Sequence, residues 1–491
     1  MPLPDYHYLF TREHGFYSNR KRVWLRNHAA YSGGREYISQ ALIEHLSEIP
    51  IEYQERIQRA YYFNYPRKIA RLITQYVLAV RPERSNADPE LAEDWSRTGL
   101  RVDEVMRQAC TMLNLFGCAW LCVDMPFFEG PKSKADELRE KLRPYVTAIS
   151  PLNVVDWCYG ADGQLSWVLT REQDVDNSDP YKTPIALEIR KLWTRNDVTI
   201  VTQRSDAMPV DPKIVEHGLG VVPFIRMTEV DGFGIGANHW FDDVVSISDA
   251  ILNNESEAQM NTVKQMFGLL VVGESFANGT LRTQQDNENG DEAESVSSVI
   301  ARSAAVIESP EDKGVSRYIS PSGAETASIR AENIALMRQM FECAMLSTSK
   351  DTRMVESAEA KLWDFQAIEQ YMRTRADMLE QCEVQAWELM SLWQPTIPIP
   401  TVSYNRNFAV LELKDAVASL MELSAFNSEN EDYQRAINQT ALALLNRLRQ
   451  LSQEQAEKIS DAIETSNPVQ EAKEKAMLES IAVDNEEQYQ E

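Results

Sequence analysis

The order of apolar and polar positions divides the chain near Asp231. Before that point helical and strand patterns alternate. In "YPRKIARLITQYVLAV", Ile69, Leu72, Ile73, Tyr76 and Val80 share one helical face after a proline near the first turn. Val102, Val105, Met106, Ala109, Met112, Leu113 and Phe116 repeat at helical spacing, and Gly117 follows as a stop signal. This predicts a buried amphipathic helix feeding the short strand "CAWLCV". In "VVDWCYGADGQLSWVLTREQ" an Asp-Gly pair separates two aromatic and β-branched runs, and in "LEIRKLWTRNDVTIVTQ" Asn-Asp does the same. Both read as hairpins of a mixed, mostly antiparallel sheet. "LGVVPFIRMTE" adds a last strand, which Pro223 confines to an edge or to a strand start.

Beyond Asp231 helices dominate. Asn238 to Phe267 contains no Gly or Pro and predicts a helix of about 30 residues, roughly 45 Å long. Its apolar stripe, Phe241, Val244, Val245, Ile251 and Leu252, fills the first half only, so the second half needs a neighbour or water. Residues 268–322 read as short apolar strands around the polar "GTLRTQQDNENGDEAES", whose composition predicts a mobile loop or interaction tip. Ala324 to Leu346 is helical again, with Ile329, Ile334, Met337, Met340 and Phe341 apolar. After the polar break Ser347 to Glu356 comes the longest helix, Ser357 to Trp393. Its Ala358, Leu362, Phe365, Met372, Ala376, Leu379, Cys382, Ala386, Leu389 and Trp393 approach a heptad seam, and Pro395, Pro398 and Pro400 end it. A strand, "TVSYNRNFAV", and a polar-faced helical tail with Ile437, Ala441, Leu444, Leu448 and Leu451 complete an α+β, mainly helical chain.

Composition narrows the function classes. At 491 residues, 43% hydrophobic and 25% charged, the sequence belongs with soluble globular proteins. A net charge of −26 argues against tight wrapping of nucleic acid by the surface as a whole. The acidity is uneven: Met1 to Cys110 holds 16 Lys and Arg against 14 Asp and Glu, whereas Leu411 to Glu491 holds 7 against 17. Six scattered cysteines in apolar surroundings read as small core residues and place folding in a reducing cytoplasm. The N-terminus has no signal-peptide pattern, and no uncharged stretch is long enough to span a bilayer.

Candidate chemistry is sparse. Gly232, Gly234 and Gly236 in "VDGFGIGANHW" precede a helix and invite a nucleotide-loop reading. Neither phosphate-binding spacing is met and no lysine follows, so a flexible entry to the long helix is the better reading. The six histidines form no zinc spacing, and no serine stands in a nucleophile elbow. Asp242 and Asp243 beside His239 suit the dipole of a first helical turn without any metal. No catalytic constellation or cofactor site emerges. Lys350, Asp351 and Arg353 remain, in a polar break that has no hydrophobic anchor of its own. In a monomer they are ordinary solvated charge at a helix junction.

The order long helix, small β tip, long helix, polar break, longer helix resembles that of phage portal proteins, the head-to-tail connectors of tailed phages. The residues that carry the resemblance are "YYFNYPRKIARLITQYVL", "FGCAWLCVDMP", "ISPLNVVDW" with "GQLSWVLTREQ", "LGVVPFI", "FGLLVVGES", and above all "SPSGAETASIRAENIALMRQM" followed by "ESAEAKLWDF". They run from about Tyr61 to Phe408, and their order is the specific part. Gly268 stands where this family often has a proline.

The resemblance implies a ring of about twelve copies around a DNA channel. Met1 to Asn238 with Ser357 to Val410 would form the wing, His239 to Phe267 and Ala324 to Leu346 the stem helices, and Gly268 to Gly323 the clip. Ser347 to Glu356 would be the tunnel loop and Leu411 to Glu491 the crown. Lys350, Asp351 and Arg353 would then line a water-filled bore, where basic side chains touch passing phosphates without holding them. Glu274, Arg282, Glu308 and Arg317 of the clip would dock partners. Implied partners are double-stranded DNA, the terminase large subunit, head-completion or adaptor proteins, and major capsid and scaffold proteins. The place is a capsid vertex of the virion, assembled in the host cytoplasm. Two rival readings stand beside it: a nucleotide-dependent enzyme using the Gly232 to Gly236 turn, and a helical scaffold or adaptor that forms no ring.

Overall fold

The computed structural model describes residues 6–46, 48–126, 142–177, 180–181, 183–204, 212–229, 239–266, 269–273, 306–309, 317–319, 323–346, 358–406, 408, and 435, 437–442, 458–459 and 461. The chain divides into two compact units, Met1–Phe408 and Ala409–Glu491. In the second, 437–442 are helical and Ile437 is buried. Everything below concerns the first, a mixed α+β unit in which helix predominates.

Its N-terminal part is built from α1 (Tyr8–Thr11), α2 (Gly15–Ser32), α3 (Arg35–Ala41), α4 (Pro50–Arg59) and α5 (Tyr65–Val77), then β1 (Glu83–Ser85), α6 (Pro89–Glu93) and α7 (Val102–Phe116). Helix α7 is stopped by Gly117 in the left-handed conformation, φ +71°, as its sequence predicts. It feeds β2 (Cys118–Asp124), the middle strand of an antiparallel three-stranded sheet with β3 (Tyr145–Ile149) and β9 (Phe224–Thr228). Six of the seven β2 residues are buried, so the apolar run "CAWLCV" is a strand covered on both faces. Strand β9 begins after Pro223 and lies on an edge, where the missing N–H does no harm.

The hairpin residues form a separate sheet in place of the single mixed one that the sequence suggests. Strands β4 (Val154–Tyr159), β5 (Leu165–Asp176), β6 (Ile185–Thr194), β7 (Asp197–Arg204) and β8 (Lys213–Glu216) pair in chain order, antiparallel throughout. Cys158, expected in the core, is exposed near the outer end of β4, whereas Cys110, Cys118, Cys122 and Cys382 are buried.

Three long helices follow. Helix α8 (Trp240–Met266) buries Phe241, Val244, Val245, Ile251 and Leu252, the predicted stripe. Helix α9 (Ala324–Cys343) runs back along it, and α10 (Ala358–Trp393) is the longest. Between α8 and α9 a small sheet has β10 (Leu269–Gly273) at its centre, parallel to β11 (Val306–Ser309) and antiparallel to β12 (Arg317–Ile319). Strand β13 (Thr401–Ser403) returns to pair with β1 across the chain.

The core is continuous from α2 through α5, α7 and β2 to α10. Trp24, Trp95, Trp120 and Trp387 are fully buried, and the Trp95 and Trp387 rings lie 5.6 Å apart. Burial of one such side chain as small as Ile69 or Leu113 stabilises the fold by roughly 1.5–3 kcal/mol. One predicted face is turned. On α5 the buried positions include Ile69, Ala70, Ile73, Thr74 and Val77, while Tyr76 faces solvent and Val80, also exposed, lies beyond the end of the helix. The cause is Asn114 of α7, whose amide donates to the Ala70 carbonyl and to Thr74 Oγ1, drawing the small polar side of α5 inward.

Candidate functional site

The root of α8 is fixed by buried charge. Glu229 follows β9, and its N–H donates to the Gly117 carbonyl at 3.0 Å. His239 stands immediately before α8. Asp242, in the first turn, accepts the His239 N–H at 2.9 Å, so it caps the helix through one carboxylate oxygen. That oxygen also meets Arg20 of α2 at 2.7 Å, and the other accepts from Asn27 at 2.8 Å. The dipole reading of Asp242 is therefore too small: the residue joins two helices.

Glu229 is the second node. His239 Nε2 donates to one of its oxygens at 2.6 Å, and Arg375 of α10 to the other at 2.6 Å. His239 Nδ1 accepts from the Phe241 N–H at 3.4 Å, which places the ring proton on Nε2. Arg375 is buried and also donates to the Tyr371 hydroxyl. Burial opposes ionisation of Glu229, yet the His239 hydrogen bond and the Arg375 charge prevail and hold its carboxyl down, to about 2. Burial pushes the Tyr371 hydroxyl and the Cys110 thiol upward. Gly117 closes the arrangement, because a Cβ there would meet His239 Cδ2 at 3.0 Å.

A matching network ties the far part of α10 to β1. Arg84 grips Glu383 with two nitrogens, at 2.5 and 2.9 Å, and reaches Asp103 of α7 at 2.7 Å. Tyr404 donates to Glu383 at 2.6 Å and Trp387 at 3.4 Å. Glu383 is wholly buried. In both networks every carboxylate oxygen of Glu229, Asp242 and Glu383 has a donor. Such groups are committed to one another, and they resist sliding of α8 and α10 against the body.

The α8–α9 pair has a different seam. Asn254 donates to Asn333 at 3.1 Å and Asn261 to Thr326 at 3.1 Å, so the helices run antiparallel in a register set by amides. Asn333 also donates to Glu255 at 3.3 Å, and Tyr61 to the same carboxylate at 2.8 Å. The apolar stripe predicted for α9 turns inward only in part: Met340 is buried in the core, with Met337 and Phe341 packed against it, and amides and hydroxyls complete the buried side. Thr326 and Asn333 are buried, whereas Ile334 is 49% exposed.

Of the residues singled out in the sequence, Glu308 lies on β11 and Arg317 on β12, two strands that flank β10 in the sheet at the outer end of this pair. Glu274, Arg282, the Gly232 to Gly236 turn, and Lys350, Asp351 and Arg353 with the whole of Ser347 to Glu356 lie outside the described residues. The charged networks were not foreseen. Their only signal was position: Arg375 and Glu383 each sit beside a member of the α10 seam, Ala376 and Cys382, where a solvated charge is out of place.

Among the described residues no group of three or more His, Cys, Asp or Glu is placed to hold a metal ion, and no helix is long and apolar enough to cross a membrane. No family model matches the chain, and no curated protein matches it.

Proposed function

We propose that this chain is a portal subunit, forming a ring at one capsid vertex through which double-stranded DNA is packaged and ejected. The observation that carries the reading is the antiparallel α8–α9 pair, joined to the small β10–β12 sheet at one end, rooted in buried charge at the other, and followed by the longest helix. A helix pair with amides bonded across its seam and an outward isoleucine is suited to a circle of copies, in which each pair is covered by its neighbours. On this reading Lys350, Asp351 and Arg353 lie in a loop that touches passing DNA. Glu274, Arg282, Glu308 and Arg317 belong to the tip that docks the terminase and later the head-completion proteins. The subunit is then a conduit, and ATP hydrolysis belongs to the terminase.

Electron microscopy of the purified protein viewed along the particle axis, paired with native mass measurement, tests this directly. Rings with a central hole are expected. A chain that stays monomeric or dimeric both in solution and in assembled particles overturns the proposal. Charge reversal at Lys350 and Arg353 is expected to leave assembly intact and to impair packaging or retention of DNA. Normal packaging and retention in that variant removes the loop from the mechanism.

A further inference from the structure

The body contains a cleft of about 1080 Å³ between α2, α5 and α7, closed at one end by β5 and the loop before β4. Its charge runs against that of the chain. Lys21, Arg71, Arg107 and Arg171 line it, with His28, against the single carboxylate of Glu104. Over the whole sequence acids outnumber bases, 75 to 49. Glu104 is already engaged in accepting the Arg101 N–H at 2.9 Å. Lys21 is held by Glu13 at 2.5 Å and Arg171 by Glu188 at 3.2 Å. Arg71 on α5 and Arg107 on α7 are exposed and have no ion-pair partner among the described residues.

The floor is of another character. Leu25, Met112 and Leu115 line it with Tyr17 and Tyr31, and Leu25 is 51% exposed although apolar. Two of the hydroxyls there are engaged internally: Tyr17 donates to the Leu152 carbonyl at 3.1 Å, and Thr111 donates to the Arg107 carbonyl at 2.8 Å and lies 3.5 Å from Thr74 Oγ1. A phosphate site needs donors converging on one point, and Leu25, Met112 and Leu115 offer none. A nucleic-acid backbone gains nothing from apolar side chains beneath the cations. The volume also lies at the upper limit of small-molecule sites, which run to roughly 1,000 Å³. Cations on the rim above an apolar floor between helices fit a protein segment with carboxylates on one side and aliphatic side chains on the other.

We propose that this cleft docks an acidic amphipathic segment of a partner protein, with Arg71 and Arg107 pairing to its carboxylates and Leu25 and Met112 receiving its apolar face. The inference does not depend on ring formation. It is tested with the full-length chain and a fluorescent synthetic helix of about 18 residues, five turns, whose leucines share one face and whose other positions are mainly glutamate. A scrambled peptide of the same composition and a short DNA duplex serve as competitors. The helical peptide is expected to bind, to weaken as salt rises, and to lose about tenfold or more in affinity in Arg71→Glu with Arg107→Glu. Leu25→Ser is expected to weaken it independently of salt. Arg71→Gln with Arg107→Gln, checked by thermal melting, repeats the test with a milder change. No binding by the wild-type chain, equal binding of the scrambled peptide, or affinity unchanged in both arginine variants overturns the proposal. So does displacement of the peptide by the duplex, which makes the cleft a nucleic-acid site. Loss of self-association in the arginine variants, without loss of peptide binding, overturns it in favour of a contact between copies.

Discussion

The body and the α8–α9 pair solve the same problem in opposite ways. In the body, Ile69, Ile73, Leu113 and Trp120 are withdrawn from water, and both carboxylate oxygens of Glu229 and of Glu383 find a donor. In the helix pair Asn254, Asn261, Thr326 and Asn333 bond across the contact beside the buried Ala258 and Met340, and Ile334 is turned outward. An amide seam specifies register at little gain in stability, whereas an apolar core gives stability and tolerates small shifts. The body is therefore self-sufficient, and the pair is a shaped surface that needs a cover.

The buried networks give the sharpest way to break this contrast. Arg375→Ala leaves the half-buried Glu229 with His239 alone, and Glu383→Ala takes from Arg84 its two-nitrogen partner and leaves it Asp103. Each is expected to cost about 3–5 kcal/mol in urea unfolding of the body. A loss below about 1 kcal/mol in both would mean the networks are solvated and ordinary. Acid should act next most strongly. Because the Glu229 carboxyl is lowered from 4.5 to about 2 in the folded chain, its contribution is complete above about pH 4.5 and lost as pH falls toward 2. Over that window its share of the fall in unfolding free energy should approach roughly 3 kcal/mol. In Glu229→Gln this acid-dependent component should vanish, and an unchanged acid profile would contradict the assignment.

Gly117→Ala places a methyl in left-handed backbone and against the His239 ring, and is expected to cost about 1–2 kcal/mol, read as a lowered thermal midpoint. The smallest effect on stability is expected at Ile334. Ile334→Asp should change unfolding of the dispersed chain by no more than about 0.5 kcal/mol. The same substitution should reduce the mass of assembled particles, since a charge then faces the neighbouring copy. If assembly were unaffected, the outward face of α9 would have no cover.

The legibility of the fold followed the same division. Period and punctuation located α7, β2, the two hairpins, α8 and α10 because each buries a regular apolar stripe against a single large core. The stripe on α5 departs from its pattern at Tyr76, where a hydrogen bond from Asn114, distant in sequence, draws the other side inward, and at Val80, which the helix ends too early to include. The α9 stripe is legible at Met340, Met337 and Phe341, but Asn333 and Thr326 look like surface residues until Asn254 and Asn261 stand opposite them. The nodes at Glu229, Asp242 and Glu383 draw partners from up to 299 positions away, and no local pattern announces such pairings.

The pairing of β1 with β13 and the grip of Arg84 on Glu383 also set a timetable. Residues around Trp95 and Arg84 leave the ribosome early, but the helix that covers them ends at Trp393. At about 5–20 residues per second, the interval between the synthesis of β9 and the end of α10 is on the order of 10–30 s. Through that interval the nascent chain carries an open apolar groove and a guanidinium with Asp103 but without Glu383. A fragment ending before Ala358 never loses them, so expressed alone it should be held by chaperones or aggregate, even with its β2 and β4–β8 sheets formed.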